Sequence, residues 1–179
     1  MQRRDFIKKS LLFTASIIVP SRSFASLNEK SFTLYNIHTG EKYRAIYWAN
    51  GKYIYDEIAN LEYILRDYRN NEIHKIDVKL FDYLYDLHSL VESNKEILVI
   101  SGYRSPATNT LLRKHHRGVA KNSYHTKGMA VDIRIPDVRL SMLRYAALSL
   151  KRGGIGYYPR SNFIHIDTAN PRYWRYPKR

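Results

Sequence analysis

Two short apolar segments in the second half of the chain each enclose an ionisable residue, and this constrains the fold more than any other feature. The segment Met129–Ile135 is typical of a strand, and it contains Asp132. The segment Phe163–Thr168 is also typical of a strand, and it contains His165 between two isoleucines. A carboxylate buried among apolar side chains is costly unless it is paired or bound to a metal. Any fold of this chain must therefore supply partners for Asp132 and His165.

Strand alternation predicts where these side chains point, because successive residues of a strand face opposite sides of the sheet. With Val131 in the core, Asp132 points to the opposite face. With Ile166 in the core, His165 and Asp167 share the other face. The second strand therefore presents an imidazole and a carboxylate together.

A second histidine, His125, precedes Gly128 and lies seven residues before Asp132. Two imidazoles and one carboxylate with an open fourth position are typical of a catalytic zinc site. His125, Asp132 and His165 are therefore candidate metal ligands. The alternative is an ion pair between Asp132 and a nearby arginine, with His125 exposed on a loop.

An arginine follows the buried strand that Glu96–Ile100 predicts. Arg104 lies in the loop Ser101–Ser105, where its guanidinium could bind a substrate carboxylate or carbonyl through two hydrogen bonds. The alternative is a surface arginine that caps a turn.

The remaining pattern predicts one compact α+β domain with a mainly antiparallel sheet, flanking helices and an N-terminal β-ribbon. Turns at Thr39-Gly40 and Asn50-Gly51 indicate the ribbon. Four helices are predicted: one over Asp56–Asn70, one that begins after a cap at Asp77, one that begins after Ser105-Pro106, and one that begins at Pro136. The last predicted strand is Phe163–Thr168. The basic aromatic segment Arg172–Tyr176 either docks on the domain or contacts anionic wall polymers.

Residues 1–25 have the pattern of a cleaved export signal, which leaves 26–179 as the domain. A basic start precedes the apolar run Leu11–Pro20, and Ser23-Phe24-Ala25 is a cleavage site. The paired arginines in Gln2–Lys8 resemble a twin-arginine signal, which predicts transient contact with that export machinery and a periplasmic location. An ordinary signal peptide or a retained amphipathic anchor are the alternatives.

Composition excludes several classes of site. Without cysteine, the chain has no thiolate nucleophile, disulfide or cysteine-ligated metal. Its net charge of +14 favours anionic or carboxylate-rich partners, and removal of the predicted leader leaves it strongly basic. Outside the cytoplasm such partners are wall peptides and phosphates, so no nucleic-acid partner is expected.

The pattern Ser-x-His-x2-Gly-x-Ala-x-Asp over residues 123–132, followed by His165, resembles the signature of the zinc D-Ala-D-Ala metallopeptidases. That group includes lysostaphin-like and penicillin-insensitive murein enzymes and the hedgehog fold. The chain is most similar to the YcbK-like murein endopeptidases, over nearly all of residues 30–175. The resemblance implies that His125, Asp132 and His165 bind Zn²⁺ and that Arg104 stabilises the substrate or the oxyanion.

One departure from the family concerns proton transfer. Many relatives have an acidic residue or a histidine two or three positions before the last ligand, where this chain has Asn162 and Phe163. Asp167 is the candidate general base, and its alternative role is to orient an imidazole.

The implied function is that of a secreted zinc endopeptidase that hydrolyses peptide cross-links of peptidoglycan during wall growth or remodelling. The resemblance favours cross-links that join two diaminopimelates over those that join D-Ala to diaminopimelate. The alternatives are a D-Ala-D-Ala or L,D-carboxypeptidase and a non-catalytic, zinc-bound wall-binding module.

Overall fold

The computed structural model describes residues 29–115 and 118–176, so the predicted leader lies outside the described residues. Within them the strands are β1 (Glu29–Asn36), β2 (Lys42–Ala49), β3 (Lys52–Tyr53), β4 (Ile97–Ser101), β5 (Ala130–Arg134), β6 (Gly154–Tyr158), β7 (Phe163–Asp167) and β8 (Arg172–Arg175). The helices are α1 (Tyr55–Ile64), α2 (Val78–Leu90), α3 (Pro106–His115) and α4 (Leu140–Leu150). A short 3-10 helix spans Tyr124–Lys127.

The strands form one sheet in the order β3-β2-β1-β4-β5-β7-β6-β8. The β1/β4 and β6/β8 pairs are parallel, and the other neighbours are antiparallel. The predicted α+β domain with a mainly antiparallel sheet is therefore confirmed. Strands β5 and β7 lie side by side inside the sheet, so both predicted polar strands are neighbours.

The ribbon at the start of the domain forms as the turn residues predict. Gly40 has a φ of 73°, and its N–H donates to the Asn36 carbonyl to close the β1–β2 turn. The ribbon is tied to α2 by Asp82, whose carboxylate accepts hydrogen bonds from Tyr47 at 3.0 Å, Tyr53 at 2.7 Å and Lys30 at 2.7 Å. These bonds fix β1, β2 and β3 onto the core.

The core lies between the sheet and its helices. Its largest fully buried side chains come from β1, β2, α1, α2, β4, β5 and α4 and from the residue after α1: Tyr47, Tyr83, Phe81, Leu34, Leu61, Leu65, Leu80, Leu84, Leu87, Ile97, Ile133 and Leu143. Within residues 29–115 and 118–176, no helix combines the length and the apolar character that crossing a bilayer requires.

Two helix boundaries differ from the prediction. The helix predicted over Asp56–Asn70 ends at Ile64, because the following segment turns and buries Asp67, which accepts a hydrogen bond from the Ser105 backbone at 2.9 Å. Helix α4 begins at Leu140 rather than Pro136, because residues 135–138 form a separate turn in which the Val138 N–H donates to the Ile135 carbonyl at 3.2 Å.

The sequence did not predict β6 and β8, so Phe163–Thr168 is not the last strand. Two of the five residues of β6 are glycines, which are rare in strands, and β8 is rich in charge. Strand β8 nevertheless pairs with β6 at the edge of the sheet. Of the two alternatives for Arg172–Tyr176, the structure therefore shows docking on the domain.

Candidate metal centre

Three sequence-predicted ligands meet at the middle of the sheet. Asp132 on β5 lies directly opposite His165 on β7 in the antiparallel register. His125 comes from the 3-10 helix that precedes β5. All three side chains are buried, and their nearest nitrogen and oxygen atoms lie 2.9 to 3.2 Å apart.

Glycines hold His125 in place. Gly128 ends the 3-10 helix at a φ of 64°, and a side chain there would overlap the carbonyl oxygen of Lys75. Gly102 passes so close to Leu65 that a Cβ would overlap the Leu65 carbonyl. This approach directs the Gly102 carbonyl at His125, whose Nδ1 lies 2.7 Å from that oxygen.

Asp167 contacts His165 on the side of the imidazole ring away from Asp132. Nδ1 of His165 lies 2.9 Å from Asp132 Oδ1, and Nε2 lies 3.0 Å from Asp167 Oδ2. Asp167 is fully buried and also accepts hydrogen bonds from Arg172 at 2.6 and 2.9 Å and from the Gly154 backbone at 3.1 Å. Asp167 therefore contacts the imidazole nitrogen that points away from Asp132.

The chemistry of the three facing atoms fits a cation. A carbonyl only accepts hydrogen bonds, so His125 carries its proton on Nδ1 and presents a lone pair at Nε2. The Asp167 carboxylate likewise fixes the proton of a neutral His165 on Nε2 and leaves a lone pair on Nδ1. Together with Asp132 Oδ1, three electron-pair donors converge, as a divalent metal ion requires.

The pKa values follow from burial and neighbouring charge. Burial lowers the pKa of His125 to about 4, and the Arg104 charge acts in the same direction. Although burial opposes it, the charge that His125 carries when it is protonated and the charge of Arg104 hold the pKa of Asp132 well below its usual range. Although burial opposes it, hydrogen bonds to the Asp132 and Asp167 carboxylates raise the pKa of His165. Asp132 is therefore ionised, His125 is neutral near pH 7, and His165 is the candidate ligand that most readily binds a proton.

Arg104 pairs with the same aspartate. Its Nη2 donates to Asp132 Oδ2 at 2.6 Å, and its Nε donates to Ser101 at 2.8 Å. Asp132 thus pairs with an arginine through one oxygen while the other oxygen faces the imidazoles. Within the described part of the chain, Nη1 of Arg104 has no hydrogen-bond partner.

An open cleft of about 420 Å³ leads to the cluster. Its walls carry aromatic and basic side chains, namely Arg104, Tyr124, Tyr158, Phe163, Arg172 and Trp174. Asp132 is the only carboxylate among the described residues that line it. The sequence did not single out Tyr158, Trp174 or Arg172 as site residues. Only a prediction of β6 and β8 could have placed them here.

Three other histidines, His38, His74 and His88, have contacts away from this cluster. His38 stacks on Tyr68 at 3.9 Å, and His74 stacks on Tyr103 at 4.5 Å. His88 lies 2.7 Å from the Lys95 carbonyl. Among the residues that the structure describes, no other cluster of histidine and acidic side chains converges in this way.

The chain is similar to characterised proteins over most of its length. Residues 24–174 match the family model described as peptidoglycan L,D-endopeptidase MepK. The peptidoglycan L,D-endopeptidases MepK of Escherichia coli strain K12 and of Shigella flexneri are each 47% identical over 175 residues, which cover 96% of both chains. A probable peptidoglycan L,D-endopeptidase MepK of Haemophilus influenzae is 46% identical over 144 residues, or 80% of this chain and 77% of that protein. No solved structure matches the chain at a significant level.

Proposed function

Because the chain belongs to the peptidoglycan L,D-endopeptidase MepK family, we propose that it is a zinc-dependent murein endopeptidase that hydrolyses peptide cross-links of peptidoglycan. The observation that carries this proposal is the convergence of two imidazole nitrogens and one carboxylate oxygen at an open cleft. Such a set leaves a coordination position free for water or substrate, as catalytic zinc sites do.

In this proposal His125, Asp132 and His165 hold Zn²⁺. A bound zinc ion supplies Lewis acidity and an activated water near neutral pH. The chain keeps the two imidazoles in the correct tautomer through the Gly102 carbonyl and the Asp167 carboxylate.

Arg104 is proposed to contact the substrate through its free Nη1, because its other donors hold Asp132 and Ser101. This arrangement fixes the guanidinium before substrate binds, which favours a preorganised contact to a carbonyl or carboxylate.

Asp167 is proposed to orient His165 rather than to act as a general base. Its five short contacts come from hydrogen-bond donors, and it does not line the cleft. A base must reach the attacking water within hydrogen-bond distance. The orienting role is therefore the better supported of the two alternatives.

The proposed bond is the cross-link between two diaminopimelate residues, in line with the L,D-endopeptidase name of the relatives. Such stem peptides carry free carboxylates, which complement the free Nη1 donor of Arg104 in the cleft. We also propose that residues 1–25 direct twin-arginine export to the periplasm, where this substrate lies. The family match begins at residue 24, close to the proposed start of the mature domain at residue 26.

Digestion of isolated sacculi, with and without a chelator, tests the proposed function. The expected result is chelator-sensitive release of monomeric muropeptides, and defined dimers of each cross-link type then identify the bond. Shortened stems without monomer release would indicate a carboxypeptidase. Co-sedimentation with sacculi but no cleavage would indicate a wall-binding module, and either result would contradict the proposal.

A further inference from the structure

One tyrosine of strand β6, Tyr158, lines the same cleft as the candidate metal centre. In the β6/β7 register Gly156 lies opposite His165 and Tyr158 lies opposite Phe163. Because strand residues alternate between faces, Gly156 and Tyr158 are on the same face of the sheet as His165. Gly156 has no side chain to place there, so Tyr158 is the nearest β6 side chain on this face.

The space above Gly156 is filled by a tryptophan from β8. A Cβ on Gly156 would lie 2.6 Å from the Trp174 ring, so only glycine admits this packing without a shift. The Trp174 ring lies 5.2 Å from the His165 ring, measured between centroids. Trp174 thereby links the metal-ligand histidine to Tyr158.

The Tyr158 side chain contacts three aromatic neighbours, one of which is Tyr176 at 5.7 Å between ring centroids. Its ring stacks on Phe163 at 4.5 Å with an interplanar angle of 16°. Its oxygen accepts a 3.0 Å hydrogen bond from Nε1 of Trp174. An indole N–H only donates, so this bond occupies a lone pair of Tyr158 and leaves the hydroxyl hydrogen available. Within residues 29–115 and 118–176 that hydrogen has no acceptor, and Tyr158 lines the cleft.

We propose that Tyr158 is a catalytic hydrogen-bond donor whose hydroxyl binds the scissile carbonyl oxygen and stabilises the negative charge that develops on it. The inference rests on the proposed endopeptidase function. A donor placed before substrate binds, at the point where charge develops, stabilises a transition state without reorganisation. Tyr158 meets this condition because Phe163 and Trp174 fix its ring and its oxygen.

The ionisation of Tyr158 agrees with a donor role. Burial raises the pKa of Tyr158, and although the Trp174 hydrogen bond and Arg104 oppose this shift, the net direction is upward. The hydroxyl therefore keeps its proton at neutral pH, which suits a persistent donor and does not suit a general base.

Tyr158→Phe is the direct test, because it removes the hydroxyl and keeps the ring on Phe163. Tyr157→Phe is the matched control, since Tyr157 is the neighbouring β6 residue on the opposite face, where its ring lies 4.6 Å from the Arg144 guanidinium. Each variant is compared with the wild-type protein for zinc content, for steady-state cleavage of a purified cross-linked muropeptide dimer, and for binding of a phosphinate in which P(O)(O⁻)–CH₂ replaces the scissile amide.

For Tyr158→Phe we expect kcat to fall by about 10²–10³-fold, the usual loss when one oxyanion donor is removed, with KM little changed. Phosphinate affinity should fall with kcat, because the phosphinate oxygen mimics the charged transition state. Zinc content should stay at the wild-type value, and Tyr157→Phe should match wild type throughout.

Two results would overturn the inference while leaving the proposed function intact. One is a Tyr158→Phe variant with unchanged kcat and phosphinate affinity. The other is a variant that loses zinc, which would make Tyr158 a structural support of the site. Absence of metal-dependent cleavage by the wild-type protein would overturn the proposed function, and the Tyr158 inference with it.

Discussion

Replacement of Asp167 by asparagine separates the two roles that the sequence left open for this residue. In the structure each contact of the carboxylate is with a donor: His165 Nε2, Arg172 and the backbone N–H groups of Gly154 and Ala169. An asparagine has one accepting oxygen in place of two, so its NH₂ group must face a donor. Asp167→Asn therefore disturbs the support of His165 without removing any of the three proposed metal ligands.

The size of the effect follows from these contacts. Loss of a carboxylate that orients a ligand histidine costs about 10- to 100-fold in metal affinity. That range corresponds to about 1.4 to 2.7 kcal/mol of binding free energy. The free energy of unfolding should also fall by about 2 to 3 kcal/mol, because charge-assisted hydrogen bonds to the carboxylate are lost. The loss is not larger because the Arg172 side chain is 40% exposed, so water already weakens its ion pair with Asp167.

The assay is zinc affinity by competition with a chromophoric chelator, followed by kcat at saturating zinc. We expect weakened zinc binding and a kcat that largely recovers when zinc is saturating. Asp82→Asn is the matched control, because Asp82 is also a hydrogen-bonded carboxylate but lies in the ribbon contact and not in the cleft. Unchanged zinc affinity with loss of kcat would refute the orienting role and identify Asp167 as the base.

Three further predictions concern the ligands, the support of His125 and the ribbon. His125→Ala should abolish both zinc content and hydrolysis, whereas His88→Ala should leave both unchanged; bound zinc in the first variant would contradict the ligand assignment. Gly102→Ala should cost about 1 to 3 kcal/mol of unfolding free energy through overlap with the neighbouring backbone, measured by urea denaturation, and should weaken zinc binding. Although burial opposes it, hydrogen bonds lower the pKa of Asp82 in the folded protein. The ionised Asp82 therefore stabilises the folded state above the ordinary aspartate pKa, and this contribution is lost as pH falls through the lowered pKa. Thermal melts should therefore show a difference between wild type and Asp82→Asn at pH 7 that shrinks below about pH 4, and a constant difference would contradict this.

Zinc binding should also depend on pH through His165. Because the pKa of His165 is raised, its imidazole binds a proton at a higher pH than an ordinary histidine does, and this proton competes with the metal. Zinc affinity should therefore decrease as pH falls through the raised pKa. Chelator competition across pH 5–8 measures the effect, and a flat profile would contradict it.

The sequence was sufficient to predict the strands that carry the metal-ligand candidates. Alternation with Val131 and Ile166 in the core placed Asp132 and His165 on one face, and the structure shows them as direct neighbours across β5 and β7. The prediction succeeded because apolar residues at every second position strongly indicate a half-buried strand, and because a buried aspartate without a partner is energetically costly.

The walls of the cleft could not be predicted in the same way. Tyr158 reaches the site because β6 pairs with β7, and Trp174 because β8 adds to β6 as a parallel edge strand. The glycines of β6 and the charges of β8 do not favour strands, so the sequence predicted neither. The sequence also placed Asp167 beside His165 without showing which imidazole nitrogen it contacts. That distinction depends on side-chain rotation, which alternation does not determine.

The central claim is that His125, Asp132 and His165 together bind one zinc ion that the reaction requires. Elemental analysis of the fully active protein, combined with activity measured on the same sample, tests this most directly. We expect one zinc per chain and a loss of activity in proportion to the zinc removed. Full activity in a sample with no bound metal would contradict the account.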